Sequence, residues 1–300
     1  RGSVSLYEAD LFKPGSYDEA FKGCAAVIHA GATVGFNKET PQEVYDGCFK
    51  ENAHVIESVK RSGSVKRFVF TSSFAAVGHP RPEGYVFTEK DWCGDNVEAY
   101  NGRWSEEQIG KNREIAYAMA KANSEKLIYA EAEAHGSFEA LAILPLHVVG
   151  PLIARNHDQP WSWQNHIKGM MQGKAYRGGR EGRMLWNSVD VRDVARAHRL
   201  CVETTIGTNG SRYIMAAADR SGEMLTWQLQ ALLESMYPMV DEIGGEPMAE
   251  DMPVKATYDA PRAYCLLAMQ ELGLEPFDIE TTIRDTVDSY YALGMIGADD

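Results

Sequence analysis

The chain has 300 residues, 44% hydrophobic and 24% charged, which is the composition of an ordinary globular protein. Its net charge of −13 argues against nucleic-acid binding, because phosphate contacts need a basic surface. Its five cysteines are an odd number without a C-x-x-C pair, which favours reduced thiols in a reducing compartment over a disulfide or zinc framework. No apolar run approaches the roughly 18 residues of a membrane span.

The first predicted elements are a strand and a short helix. Residues 4–9 are predicted to form a strand that ends at Asp10–Leu11. Ser16 and Glu19 have the spacing of a capping box, in which each side chain satisfies a free N–H group of an opening helical turn. Gly23 suits the end of that helix, because glycine tolerates the left-handed conformation.

The next strand is predicted from a continuous apolar run at residues 24–30. The absence of alternation is typical of a strand buried on both faces of a parallel sheet. The small residues 31–33 that follow would let another molecule approach the backbone closely. Thr40 and Glu43 then predict a second capping box and a long helix that ends near Gly63.

The alternation continues beyond that helix. Residues 66–73 form a short apolar strand that ends in hydroxyl groups, and the longest predicted helix runs from about Ser105 to Ala134. Residues 138–144 form a further strand, closed by a segment that contains proline and glycine. Alternating strands and helices predict an α/β fold with a doubly wound parallel sheet, whose ligands bind at the carboxyl ends of the strands.

The second half of the chain is less regular. Residues 187–195 lead into a helix, residues 212–215 resemble a last strand, and amphipathic helices are predicted at 223–236 and 279–293. We therefore predict a smaller mixed C-terminal lobe. The predicted domains are a Rossmann-like dinucleotide-binding domain at residues 1–150, to which 189–216 returns, and a substrate-binding lobe at residues 151–300.

One pair of residues on the longest helix suggests chemistry. Tyr117 and Lys121 are four residues apart, so they lie on the same helix face. A neighbouring ammonium favours the phenolate and lowers the pKa of a tyrosine from its usual value of ~10, which lets the phenol act as a general acid. The pair is weak evidence alone, and its weight comes from the motifs around it.

Those motifs occur in a characteristic order along the whole chain. They are Phe70-Thr71-Ser72-Ser73, Tyr117-x-x-x-Lys121, Pro145-x-x-Val148-x-Gly150-Pro151 and Val189-Asp190-Val191-Arg192-Asp193-Val194-Ala195-x-Ala197-His198, with Glu8-Ala9-Asp10-Leu11 and Thr88-Glu89-x-Asp91-Trp92 in support. The chain in this respect resembles the extended short-chain dehydrogenase/reductases of the NAD-dependent epimerase/dehydratase superfamily. Within them, it is similar to the dihydroflavonol reductase and cinnamoyl-CoA reductase branch.

The resemblance implies a role for each matching residue. Tyr117 would protonate the substrate oxygen, and Lys121 would lower the tyrosine pKa and hold the nicotinamide ribose. Ser73 would orient the substrate oxygen, with Ser72 as the weaker alternative. The cofactor positions implied are Asp10 and Leu11 at the adenine, Ala30, Gly31 and Ala32 along the cofactor, Tyr117 and Lys121 at the ribose, and Pro145 and Val148 at the nicotinamide pocket.

The function implied is an NADP-dependent oxidoreductase that reduces a ketone or aldehyde of a small hydrophobic or aromatic metabolite, with NAD as the alternative cofactor. A sugar epimerase, a dehydratase or a hydroxysteroid dehydrogenase of the same fold would use the same triad. A structural or nucleotide-sensing subunit of a larger assembly is the non-enzymatic alternative. The oligomeric state is open between a monomer, a homodimer and a larger assembly.

The sequence departs from the family pattern in two places. The Gly-x-x-Gly-x-x-Gly turn is missing, and we expect about fifty further residues upstream of Arg1 to supply it with the first strand–helix–strand unit. Ala120 stands where the family often has serine. A cytoplasmic location is expected, with an organelle as the alternative, since the sequence contains no targeting segment.

Other notable residues have structural explanations. Asp190 and Asp193 are predicted to cap a helix or pair with an arginine, so no metal site is expected. His147 and His198 are predicted to be packed or hydrogen-bonded, and Asn52 either braces the active site or simply packs. Three tryptophans are open between core packing and an aromatic substrate pocket, namely Trp161, Trp163 and Trp186.

Overall fold

A computed structural model describes residues 2–32, 40–78, 85–94, 106–160, 162–174, 185–245 and 262–297. Contacts group the chain into two compact units. The first unit comprises residues 1–80, 88–144 and 197–214, and the second comprises 81–87, 145–196 and 215–300. In the described part of the chain, no helix combines the length and apolar character needed to cross a membrane.

The helices and strands follow one another along the chain in a regular order at first. They are α1 (Asp18–Phe21), β1 (Ala26–His29), α2 (Pro41–Ser62), β2 (Arg67–Thr71), α3 (Arg113–His135), β3 (Glu139–Pro145), β4 (His147–Val149), α4 (Trp163–Met171), β5 (Leu185–Asp190), α5 (Val191–Glu203), β6 (Arg212–Met215), β7 (Glu223–Leu225), α6 (Thr226–Met236), α7 (Leu266–Leu272) and α8 (Ile279–Ala292). A short 3-10 helix, Phe74–Ala76, follows β2.

A parallel sheet forms the centre of the first unit. Its strands lie in the order β1-β2-β3-β6, with Val27 opposite Phe68 and Phe68 opposite Ala140. The middle of β2 and β3 is fully buried, as expected for central strands of a parallel sheet, and α2 and α3 of the same unit pack against each other. The predicted α/β fold with a parallel sheet is confirmed.

Two strand predictions in this unit were wrong. Residues 2–9 form no strand and are exposed, since no strand of the described chain lies beside them to share backbone hydrogen bonds. Strand β1 is buried on one face only, with the Ile28 side chain 47% exposed. Among the described strands β1 therefore lies at the sheet edge, which an apolar run cannot reveal.

Of the two predicted capping boxes, the structure confirms one and contradicts the other. Thr40 accepts the N–H of Glu43 while Glu43 accepts the N–H of Thr40, so the second capping box is confirmed. The first is wrong, because the Ser16 hydroxyl instead bonds the backbone of Asp10, accepting its N–H at 2.9 Å and donating to its carbonyl at 2.7 Å. A serine hydroxyl can satisfy either a helix terminus or a nearby turn, and here the turn prevails.

Helix α3 begins later than predicted. Asn112 caps it by accepting the N–H groups of Glu114 and Ile115, and Gly136 ends it with a φ of 69°. Residues 106–111 form a separate 3-10 helix, whereas Ser105 lies outside the described residues. An amide side chain with a local acceptor is a strong N-cap, so the boundary falls there.

The second unit contains a mixed sheet. Strand β5 pairs in parallel with β4 and antiparallel with β7. Residues 223–225, predicted as the start of a helix, belong to β7, so α6 begins at Thr226. The core packs around Trp186, which is fully buried, together with side chains of α4, α6 and α8. The predicted smaller mixed lobe is confirmed as a mixed sheet with its own core.

The end of α2 provides a test of backbone strain. Gly63 has a φ of 63°, and a β carbon built there would meet no atom within 4 Å. Gly63→Ala should therefore lower the free energy of unfolding by about 1 kcal/mol through the left-handed backbone alone. Urea denaturation measures this change.

Gly110 is the matched control. A β carbon there also meets no atom within 4 Å, and its φ lies outside the left-handed range. Gly110→Ala should be neutral or slightly stabilising. Equal effects of the two substitutions would contradict the strain explanation.

Candidate active site

The end of strand β2 lies under helix α3, and Lys121 joins them. The Lys121 side chain is buried, only 1% exposed, and its ammonium donates a hydrogen bond of 3.1 Å to the carbonyl of Thr71. The ammonium lies 5.0 Å from the centre of the Phe70 ring and 5.8 Å from that of Tyr117. The structure thus brings Tyr117 and Lys121 together at the carboxyl end of a central strand.

This ammonium has no carboxylate counter-charge among the described residues. Among the residues that the structure describes, Lys121 forms no ion pair with a carboxylate. Its neighbours are a backbone carbonyl and aromatic rings, which stabilise a cation only partly. Burying an unpaired charge is costly, so such a residue is a candidate for function.

A buried polar network lies near Lys121. Asn52 donates to the carbonyl of Cys48 at 2.6 Å and to the hydroxyl of Ser124 at 3.1 Å, and its oxygen lies 3.0 Å from Nε2 of His29. Because both hydrogens of the amide are used as donors, the amide oxygen must accept, and Nε2 of His29 carries the hydrogen. Asn52 therefore braces α2, α3 and β1 together.

His29 remains neutral within this network. Its ring stacks on Phe68 and Phe70 with centroid distances of 6.1 and 5.9 Å. Burial, and then the positive charge of Lys121, lowers the pKa of His29 to about 4. The imidazole acts as a hydrogen-bond donor and adds no second positive charge beside Lys121.

The two serines that follow Thr71 have different environments. Ser72 is 4% exposed, and its hydroxyl donates a short hydrogen bond to the carboxylate of Glu125. Ser73 is half-buried, and its hydroxyl accepts the N–H of Ala75 at 3.1 Å. Ser73 starts the 3-10 helix Phe74–Ala76, which packs against α3, the helix of Tyr117. Ser73 is thus the more accessible of the two candidate hydroxyls.

The residues expected at the adenine lie next to those expected along the cofactor. A δ carbon of Leu11 lies 3.3 Å from the position of a β carbon on Gly31, so a larger residue would crowd this contact. The Leu11 carbonyl lies 3.0 Å from Nδ1 of His54, and Ser16 holds the backbone of Asp10. Ala30 and Gly31 are exposed and Ala32 is half-buried, so this backbone can be approached.

The other two expected cofactor residues belong to the second unit. Pro145 is the last residue of β3, and Val148 is the middle residue of β4, where it lies opposite Val189. Both side chains are half-buried. Their contact with a nicotinamide ring stays a prediction.

The family of the chain follows from comparison with known proteins. Residues 1–216 match the model of the NAD-dependent epimerase/dehydratase family. The chain belongs to this family. The resemblance to extended short-chain dehydrogenase/reductases is confirmed, and with it the prediction of an NAD(P)-dependent enzyme of this kind.

Individual members of this family are similar over most of the chain. The cinnamoyl-CoA reductase CAD2 of Medicago truncatula is 27% identical over 95% of this chain and 79% of its own length. Dihydroflavonol 4-reductase of Arabidopsis thaliana is 28% identical over 78% of this chain and 56% of its own length. The structure of the yeast methylglyoxal/isovaleraldehyde reductase Gre2, complexed with NADPH, superposes with a TM-score of 0.75 at 21% identity, covering 96% of this chain and 84% of Gre2.

The described residues fit a dinucleotide of this family at its two ends. At one end, the contact between Leu11 and Gly31 leaves exposed backbone that an adenine ring can reach. At the other end, the Lys121 ammonium has N–H groups beyond the one that bonds Thr71, and these could donate to a ribose. The sequence contains no Gly-x-x-Gly-x-x-Gly turn of the kind that binds a pyrophosphate at a helix N-terminus. The fit therefore concerns the adenine and ribose ends.

Several other polar residues have structural roles. Arg192 pairs with Asp190 at 2.7 Å, and Asp193 accepts the N–H of Phe277 at 2.8 Å. Among the described residues, no group of His, Cys, Asp or Glu is arranged to hold a metal ion. His198 lies 2.7 Å from the hydroxyl of Thr71, and His147 stacks on Trp163 at 3.6 Å.

Two of the three tryptophans singled out in the sequence lie in the core of the second unit. Trp186 is fully buried and meets Trp163 edge to face at 5.6 Å in the core of the second unit. Trp161 lies outside the described residues. An aromatic substrate pocket at these positions stays a prediction.

Sequence reasoning missed the buried residues whose contacts support the site residues. Glu125 is fully buried and pairs with Arg212 at 2.8 Å, and His29 bonds Asn52. Glu125 lies four residues after Lys121, so its position on the same helix face as Tyr117 and Lys121 was the available signal. Its partner is 87 residues away and could not be read from local spacing.

The neutral state of His29 predicts a pH dependence of stability. Because folding lowers its pKa from 6.5 to about 4, the unfolded chain binds more protons between these values. The free energy of unfolding should then fall as the pH falls through this window, by about 3 kcal/mol from this group. Urea denaturation at pH 7, 5.5 and 4 measures the fall.

The comparison is with His29→Leu, which removes the titrating group. Contributions of other buried acids, including Glu125 and Asp193, are common to both proteins and cancel in the difference. The variant should be less stable at pH 7 but less sensitive to acid. An equal loss of stability in both proteins would show that His29 is not responsible.

Proposed function

We propose that the chain is an NADPH-dependent reductase of a ketone or aldehyde of a small hydrophobic or aromatic metabolite, with Tyr117 as the general acid. The observation that carries this proposal is the buried Lys121 ammonium, unpaired by any described carboxylate and next to the Tyr117 ring. That cation is costly to bury and suits a phenol that must release a proton. Reductases among the similar proteins support the reaction class.

The residues of the chain would divide the work as follows. Bound NADPH supplies the hydride that adds to the carbonyl carbon. Tyr117 donates its phenolic proton to the carbonyl oxygen, and the positive charge of Lys121 stabilises the phenolate that remains. Ser73 donates a hydrogen bond to the same oxygen and orients the carbonyl group.

The cofactor choice rests on two kinds of support. Asp10 and Gly31 are exposed and the half-buried Leu11 side chain lies next to Gly31, so a flat adenine can approach the backbone there. Gre2, which is similar in fold, is complexed with NADPH. We therefore propose NADPH, and competition with NADH in the same assay decides between the two.

A non-enzymatic role is disfavoured by the same lysine. A structural subunit would gain nothing from an unpaired ammonium under a helix, since an apolar side chain would fill the space at lower cost. An epimerase or dehydratase of this fold would use the same three residues, and product analysis separates it from a reductase.

Tyr117→Phe tests the general acid. It removes only the hydroxyl, so kcat for NADPH oxidation with a panel of carbonyl compounds should fall by roughly 10²- to 10⁴-fold. Binding of NADPH, measured by its fluorescence, should remain. The protein is expressed from its complete gene.

Tyr45→Phe is the matched control, because Tyr45 is also half-buried in the first unit and its hydroxyl accepts one hydrogen bond from Asn123. This variant should keep the parent activity. Turnover by Tyr117→Phe at the parent rate would refute the assignment.

Lys121→Met separates function from stability. Methionine has similar length and flexibility and is apolar, so it should fill the buried space without lowering the melting temperature. The turnover number should nevertheless fall by roughly 10²-fold or more, because the phenolate loses its stabilising charge. Thermal denaturation and the NADPH assay provide the two readouts.

Lys50→Met is the control for charge removal. Lys50 is exposed on α2 and pairs with Asp46 at its surface. It should change neither readout appreciably. An active Lys121→Met variant, or one that unfolds while Lys50→Met does not, would make Lys121 a structural residue.

A further inference from the structure

Helix α3 carries three polar side chains at intervals of four residues. Tyr117, Lys121 and Glu125 therefore lie along one face of the helix. Lys121 and Glu125 are 1% and 0% exposed, and they form no ion pair with each other in the described structure. Lys121 contacts Thr71 and Glu125 contacts Ser72, two consecutive residues at the end of β2.

The two contacts together define what we call the α3 clamp. The Lys121 ammonium donates to the carbonyl of Thr71, and the Ser72 hydroxyl donates to the carboxylate of Glu125. The clamp thus fixes the last residue of β2 and the residue after it to two successive turns of one helix. Two attachment points constrain the orientation of the strand end as well as its distance from α3.

The residue that the clamp positions is Ser73. The N–H of Ser72 donates to the carbonyl of Ile143 at 2.8 Å, so Ser72 still follows the sheet, and the chain turns at Ser73 into the 3-10 helix. Adjacent Cα atoms are about 3.8 Å apart, so a shift of Ser72 moves Ser73 directly. The Tyr117 phenol is attached to the same helix that holds Ser72.

The carboxylate of Glu125 has further support behind it. Arg212 pairs with it at 2.8 Å, and Tyr129 donates to it at 3.3 Å. Arg212 also donates to the carbonyls of Glu89 and Asp91 at 2.7 and 2.8 Å. Its guanidinium lies 3.6 Å above the ring of Trp92. The clamp is therefore continuous with residues 89–92 through Arg212.

Stability alone does not account for this arrangement. Burial raises the pKa of Glu125, which shows that the environment penalises its charge, although Arg212 partly offsets the penalty. Apolar residues of similar volume are often as stabilising as a buried ion pair, or more so. A buried carboxylate that accepts a hydrogen bond from Ser72 offers a directional contact that apolar packing cannot replace.

We propose that Glu125 and Ser72 are positioning residues, and that the α3 clamp holds the Ser73 hydroxyl at its working distance from Tyr117. This inference rests on the proposed function. It assigns Ser72 a role in the reaction that is distinct from substrate contact. It also assigns the acidic residue of α3 to the support of a neighbouring hydroxyl.

Two substitutions divide the clamp from the ion pair. Ser72→Ala removes the hydrogen bond to Glu125 and keeps the pair with Arg212, so kcat should fall by roughly ten- to a hundredfold with little loss of melting temperature. Glu125→Gln keeps an oxygen that accepts from Ser72 but leaves Arg212 with a neutral partner. Its melting temperature should fall by roughly 5 °C or more, with kcat within about threefold of the parent.

Ser58→Ala is the control, because Ser58 is a fully buried serine of the same unit whose hydroxyl accepts from Arg61 at 3.2 Å. It should keep the parent kcat. The dissociation constant of NADPH, measured by fluorescence, should stay within about twofold in all three variants. A kcat that falls in proportion to the melting temperature, or a fully active Ser72→Ala, would overturn the clamp.

A readout independent of turnover separates this inference from the proposed function. Hydrogen exchange at residues 72–76 should accelerate in Ser72→Ala and remain near the parent rate in Glu125→Gln. If the parent protein showed no reductase activity and Ser72→Ala still exchanged faster than the parent, the clamp would be supported and the proposed reaction refuted. Unchanged exchange in Ser72→Ala would refute the clamp even if Tyr117→Phe behaves as expected.

Discussion

A buried ammonium group that no carboxylate of the described residues neutralises is the constraint around which the first unit is arranged. Lys121 lies between the end of β2 and helix α3, where water cannot solvate it. Its described partners are the Thr71 carbonyl and two aromatic rings, which leave most of its charge uncompensated. His29 stays neutral beside it, because burial and then the charge of Lys121 lower its pKa, and it uses its ring hydrogen to bond Asn52.

The positions of the charged residues along α3 keep Lys121 apart from the carboxylate of Glu125. Glu125 lies one turn beyond Lys121, close enough along the helix for a pair, yet it binds Ser72 and Arg212 instead. In the proposed reaction, a Lys121–Glu125 pair would neutralise the ammonium and weaken its stabilisation of a Tyr117 phenolate. By engaging the carboxylate elsewhere, Arg212 leaves the positive charge of Lys121 available for the role proposed for it beside Tyr117. The buried ion pair thus protects a charge separation that the proposed chemistry requires.

The sequence predicted those features that depend on local spacing. The face shared by Tyr117 and Lys121, the capping box at Thr40 and the parallel sheet all follow from patterns within a few residues. The alternative use of Ser16 could not be foreseen, because a serine hydroxyl serves a helix end and a turn equally well. The exposure of Ile28 and the partner of Glu125 were also hidden, since both depend on segments that are distant in sequence.

The choice between Ser72 and Ser73 shows how tertiary structure resolves an ambiguity that sequence leaves open. The two hydroxyls are chemically identical and adjacent, and the motif alone favours Ser73 only by resemblance. Ser72 donates its hydroxyl hydrogen to Glu125, so it cannot also donate that hydrogen to a substrate oxygen. Ser73 accepts the N–H of Ala75 through a lone pair, which leaves its own hydrogen available as a donor. The cap also restrains the Ser73 side chain without using that hydrogen. Within the proposed reaction, a hydroxyl held in this way can donate to a carbonyl oxygen with little loss of conformational freedom on binding.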